Sequence, residues 1–300
     1  MMRSFFTILM GLFGVLILVT ATPSEGRQNA NSPTSSSTNA DTFDPRDFSG
    51  VWARFGGREG RGNAQGGAPF PEKGDDGYGL EVPPFTPEGQ AKFDSYRPGY
   101  GRPLGSASAA ERPEEHIGRR RAVPPAEQND PASLCSPYGV TRLILTSYFS
   151  TVEFVHASDR MIQNFAWMKD YRNIWMDGRE LPTEIDIPNW NGYSIGRWEG
   201  DTLVVDSYGF EESTWLDRYG YPHSGEMRME ERYRRIAADR LELIMTITDP
   251  LIYTEPWVSG RKVFRKLERE ESSINGWYEL FDERCVPVDE FDFNENVRSG

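Results

Sequence analysis

Cationic residues and histidine are scarce in this chain. Its 300 residues hold 33 Lys and Arg against 46 Asp and Glu, a formal net charge of −13, with only three histidines. The deficit of cations argues against a nucleic-acid partner, because such binding depends on Lys and Arg neutralising phosphates. The basic cluster Arg119-Arg120-Arg121 is set among Pro and Glu and reads as a solvated loop. His116 falls in the same Pro-rich stretch, which leaves His156 and His223 as ligands, and no HExxH or Cys/His cluster is present. A transition-metal site is therefore not expected. Walker loops, a Gly-x-Gly-x-x-Gly turn after a strand, calcium-loop spacing and a Gly-x-Ser-x-Gly elbow are all missing, so the reading carries no cofactor.

Cysteine is rarer still. Cys135 and Cys285 are the two present. In an oxidising compartment an even count suggests one disulfide tying the start of the folded region to its end, with two buried thiols as the alternative. A thiol nucleophile is disfavoured, because no histidine lies near either cysteine in sequence.

Long apolar runs are absent except at the N-terminus. Arg3, the apolar Phe5–Val19 and the small residues Val19-Thr20-Ala21 make residues 1–21 a secretory signal. Pro23 and the polar residues after it favour cleavage over a retained anchor, so a periplasmic or secreted protein with no stable membrane anchor is expected. Residues 22–43 are rich in Ser, Thr and Asn and too poor in apolar groups to offset the entropy of ordering, which marks a linker. Residues 44–300 remain for one domain.

What that domain does have is alternation. Glu199-Gly200-Asp201 separates Tyr193–Trp198 from Thr202–Tyr208, a hairpin signal. Further alternating runs are Thr141–Thr146, Thr151–His156, Met161–Met168, Arg172–Met176, Met227–Ile236, Leu241–Thr248, Val258–Leu267 and Trp277–Phe281, divided by turn residues. The pattern predicts an all-β fold, an antiparallel meander closing into a lipocalin-like barrel or a strongly curved sheet. Residues 54–131 are a long Gly/Pro-rich excursion, mostly loop, with one helix expected over Thr86–Tyr96, capped by Thr86 with Pro87 at its first position.

The opening Gly50-Val51-Trp52 resembles the Gly-x-Trp start of lipocalin-type barrels, in which the Trp plugs one end. More broadly, FSGVW (48–52), DPASLCSPYGVTR (130–142), GYSIGRWEGDTLVV (192–205), TWLDRYGYPHS (214–224), ERYRR (231–235) and DPLIYTEPW (249–257) resemble a family of secreted proteins of Gram-negative bacteria. That resemblance implies export and a β fold and carries over no activity.

Polar residues on apolar strand faces mark where chemistry is sought. Met227, Met229, Glu231 and Tyr233 share one face of their run, so Glu231 is expected to point inward, either paired with an inward Arg such as Arg197 or Arg265, or serving as a general acid or base. Val152, Phe154 and His156 share a face likewise, and His156 with Glu231 in one cavity would form an acid/base pair. The long loop Gly209–Gly225 adds Trp215, Asp217, Tyr219, Tyr221 and His223, where Asp217 would orient His223 as a base and Ser224 is a nucleophile only if that geometry holds. Arg197, Trp215, Tyr219, Tyr221, Tyr233 and Tyr253 are the expected ligand-binding residues. The leading expectation is an exported, cofactor-independent enzyme of lyase, isomerase or hydrolase type, acting on a small, partly apolar or aromatic molecule in a barrel cavity. The alternatives are a periplasmic small-molecule carrier and a sugar-binding module with Trp175, Trp190 and Trp215 as stacking platforms on an open face.

Overall fold

A computed structural model describes residues 43–54, 84–98, 123–145, 151–217, 220–270, 273–274, 277–278, 280 and 284–285. They fall within one unit, Asp41–Gly300. The expected signal, the 22–42 part of the linker and the stretches 55–83 and 99–122 lie outside the described residues.

The alternating runs become strands. They are β1 (Gly50–Arg54), β2 (Thr151–His156), β3 (Arg160–Phe165), β4 (Tyr171–Trp175), β5 (Tyr193–Glu199), β6 (Thr202–Tyr208), β7 (Arg228–Ala237), β8 (Arg240–Thr248), β9 (Trp257–Val258) and β10 (Lys262–Lys266). The sheet runs β10-β1-β2-β3-β4-β5-β6-β7-β8, and β10 also pairs with β8, which closes nine strands into a barrel; β9 extends the edge of β8. A separate hairpin joins β11 (Ser273–Ile274) to β12 (Trp277–Tyr278). Among the described residues no helix is long and apolar enough to cross a membrane.

Two expectations need correction. The meander is not antiparallel throughout, because β4 pairs with β5 in parallel through Ile174↔Ser194 and Trp175↔Ile195. Parallel neighbours need a crossover connection, and the segment 176–192 supplies it as a strap. At that seam a β-carbon on Gly196 would lie 2.5 Å from Met176 Sδ and 2.8 Å from Ile174 Cγ2, so glycine lets these two side chains pack directly against β5. The second correction is Thr141–Thr146, which is the helix α2 (Val140–Leu145) and not a strand; the helix α1 (Pro87–Ser95) forms as expected, with Thr86 accepting from Gly89 N–H at 3.0 Å. In α2 the residues Val140, Leu143 and Ile144 recur at helical spacing and are fully buried. Burial in the barrel core overrides the strand propensity of this β-branched stretch.

The barrel interior is filled by side chains. Val152, Phe154, Phe165, Leu203, Val205, Met229, Tyr233, Leu243, Met245, Ile247 and Phe264 form one core with the α2 face. Trp52 is fully buried among them and donates its indole N–H to Phe48 O at 2.8 Å, while Arg235 lies across its ring at 5.7 Å and ties Asp47 O at 2.6 Å. The Trp of the Gly-x-Trp start is thus part of the barrel core.

Candidate functional site

The expected acid/base pair is not assembled. Glu231 does point inward and is fully buried, but its carboxylate is spent: Arg172 donates to both of its oxygens at 2.7 and 2.8 Å, and Tyr233 donates its hydroxyl at 2.8 Å. Arg172 also donates to Gln163 Oε1 at 2.7 Å. The partner is Arg172, rather than Arg197 or Arg265. Burial works against the Arg172 charge, and Glu231 more than compensates, so the guanidinium's pKa ends above its ordinary value. Burial pushes the Tyr233 phenol well up, and the Glu231 charge adds to it.

His156 is elsewhere. The last β1 partner on β2 is Phe154, opposite Gly50, so His156, still paired with Met161 on β3, lies beyond the end of β1 and is exposed, accepting from Phe48 N–H at 3.1 Å. It is a tether for the chain entering β1 and shares no cavity with Glu231.

The Gly209–Gly225 loop is packed rather than open. His223 is fully buried, bonded to Thr214 Oγ1 at 2.7 Å and to Ser224 O at 3.1 Å. Asp217 is also buried and accepts from Tyr221 N–H at 3.4 Å, so the expected Asp217–His223 pair is absent. Ser224 gives its hydroxyl to Asp249 at 2.7 Å and its N–H to the other Asp249 oxygen at 2.6 Å, which leaves no His–Ser dyad. Burial holds the His223 pKa below its ordinary value of 6.5, with Ser224 O and Asp249 only partly offsetting this.

The expected ligand-binding aromatics among the described residues are buried and packed against other rings or polar groups. Trp215 is buried against Tyr96, centroids 4.7 Å apart. Tyr221 stacks on Phe93 at 5.1 Å, Tyr253 on Phe85 at 5.3 Å while donating to Pro222 O, and Tyr233 is bonded to Glu231. Arg197 faces outward, half-exposed, and pairs with Asp206 and with Glu199 at 3.0 Å; strand alternation puts it opposite the inward Gly196 and Trp198. Tyr219 lies outside the described residues. Cys135 and Cys285 do form a disulfide, Cα atoms 5.5 Å apart.

A candidate site lies instead on the outer wall. Where the strap crosses β5–β8, a groove of about 290 Å³ opens. Ile195 and Leu181 supply its apolar surface, and Glu180, Asp206, Arg228, Glu230, Thr246 and Thr248 its polar one, with the inward-facing Ser207 and Met229 lining it between the strands. The ladder explains the convergence: Ile195 stands opposite Asp206, Asp206 opposite Glu230, and Glu230 opposite Thr246. Asp206 and Glu230 are therefore like charges facing each other across a strand pair, an arrangement that costs stability unless it is compensated. Arg197 serves Asp206, but Arg232 reaches Glu230 only at 3.5 Å. Arg228, Glu230 and Arg232 lie on the face of the Met227–Ile236 run opposite Glu231, and the usable signal in the sequence was Asp206, a carboxylate closing the apolar run Leu203-Val204-Val205. Among the described residues no group of three His, Cys, Asp or Glu has the geometry to hold a metal ion.

Fold and site together define a closed, filled, mixed β-barrel with a polar groove on its exterior. Comparison with known proteins returns no matching family model, no matching curated protein and no matching solved structure.

Proposed function

We propose that this chain is an exported binding protein for a small organic molecule, held on the outer wall of the barrel. The groove beneath the strap carries this reading, since it joins an apolar floor to several polar groups left without strong partners, the composition of a small-molecule site. The disulfide and the signal-like N-terminus support export. So does the resemblance to secreted proteins of Gram-negative bacteria. Among the described residues the lumen is packed with side chains, which favours an exterior site over the interior cavity that a lipocalin-like carrier would use.

The test is a ligand-observed NMR screen of polar metabolites on the mature protein, repeated with Ile195→Trp, which fills the groove from an outward-facing position. Binding lost in the variant at unchanged melting temperature supports the reading; binding that survives places the ligand elsewhere. Turnover of a bound compound would restore the acid/base enzyme class, with Asp206 and Glu230 as its carboxylates. A second reading, a sugar-binding module, is favoured by Tyr171, Trp190 and Tyr193, which are 58%, 40% and 38% exposed. Tyr193 lies two residues from Ile195 on the same outer face, so its ring adjoins the groove. Trp215, being buried, takes no part.

A further inference from the structure

Arg228 is an uncommitted cation at the groove. Its guanidinium lies over the Tyr208 ring at 4.1 Å, and among the described residues it makes no hydrogen bond or ion pair. Tyr208 is buried and its position fixed by the β5–β6–β7 ladder, so the ring supports the guanidinium from below. Five N–H donors are left for a ligand, in the fork that matches a carboxylate.

Glu230 follows on the same face of β7, about 7 Å along the strand. It stands opposite Asp206, with Arg232 only loosely attached. From the strap, Glu180 lines the same groove and has no partner among the described residues. The groove thus sets one free cation near loosely held carboxylates, with Ile195 and Leu181 between them. A purely anionic ligand would meet three carboxylates. A purely cationic one would meet Arg228, and a neutral polyol would replace the hydration of all four charges with neutral hydrogen bonds, the weaker kind.

Resting on the groove reading above, we infer that the ligand is a zwitterionic α-amino acid with an aliphatic side chain: its carboxylate on Arg228, its ammonium on Glu230 and Glu180, and its side chain on Ile195 and Leu181.

Isothermal titration of the mature protein tests this with L-leucine, with leucinamide, which lacks the carboxylate, with isocaproate, which lacks the ammonium, and with maltotriose. L-Leucine is expected to bind, and each single-charge analogue to bind about tenfold more weakly or worse. Arg228→Gln should weaken L-leucine without weakening leucinamide, and Glu230→Gln should weaken L-leucine without weakening isocaproate. Both side chains are outward, and thermal melts check that the variants fold. Equal affinity for L-leucine and leucinamide, tighter binding of maltotriose, or an unaltered Arg228→Gln overturns the ligand class. The groove reading survives any of these if Ile195→Trp still abolishes whatever binds. Absence of binding by every probe, together with no Ile195→Trp effect in the metabolite screen, overturns both.

Discussion

Arg172 and Glu231 meet as a two-point ion pair inside an otherwise apolar core, with Gln163 and Tyr233 taking up their remaining hydrogen-bonding capacity. Desolvating two charges is expensive, and their attraction repays it only when the geometry is good and the surrounding polar atoms are satisfied. Glu231→Leu strands the guanidinium and is expected to cost about 3–5 kcal/mol in urea unfolding. Adding Arg172→Met should recover most of that loss, because no charge is then left buried and Gln163 and Tyr233 keep the bond they already make at 3.3 Å; a double variant no more stable than the single would show that the pair itself supplies net stability. His223 gives a prediction in pH. Its folded pKa lies below the ordinary 6.5, mainly through burial. As pH falls, the unfolded chain therefore takes up the proton first. The stability that depends on neutral His223 is full above about 6.5 and is lost progressively below it. Urea midpoints measured from pH 8 down to pH 5 should fall less steeply in His223→Gln than in the parent; parallel slopes would contradict the assignment.

At the scale of elements, the docking of α1 turns on one residue. The helix is fastened by Lys92 Nζ donating to His223 O at 2.6 Å and by Phe93 stacking on Tyr221. Gly89 lies against the chain at Ile252, where an added β-carbon would sit 2.1 Å from the Ile252 carbonyl oxygen. Helix propensity alone predicts that Gly89→Ala stabilises by about 1 kcal/mol. Because the obstacle is backbone, the opposite is expected: a lower melting temperature and faster proteolytic cleavage near residue 90. The strands themselves were legible in the sequence because a two-residue period with one buried face is a strong local signal; Thr151–His156 and Thr202–Tyr208 coincide with β2 and β6 to the residue. The parallel β4–β5 contact was not legible, since it rests on two residue pairs and on a strap with no periodicity of its own. Nor was α2, where Val140, Leu143 and Ile144 fit helical spacing while the same stretch is rich in β-formers. Inwardness at Glu231 was readable from alternation, but neither the Arg172 that neutralises it nor the Asp206–Glu230 juxtaposition was, because both depend on register between strands.

For the whole molecule, the Cys135–Cys285 bridge fastens the C-terminal segment to the loop that precedes α2, across a sequence separation of 150 residues. Between its ends the chain returns along the outside of β1, where Leu280 packs with Val51, Ala53, Ala166 and Leu267, and Lys169 donates to Leu280 O at 2.7 Å. That second apolar cluster is small, so its closure depends on the covalent link more than the main core does. On the chain-entropy account, a loop of this length is worth about 5 kcal/mol. Replacing both cysteines by alanine, which avoids a stray thiol, is therefore expected to lower unfolding stability by up to that amount, while the nine-strand closure through β10 keeps the barrel formed. The outer-wall groove is built on β5–β8 and the strap, none of which supplies a residue to the Leu280 cluster. Ligand affinity measured well below the lowered melting temperature should therefore match the parent's. A double variant that folds but no longer binds would mean that the groove depends on the bridge and is not independent of the Leu280 cluster.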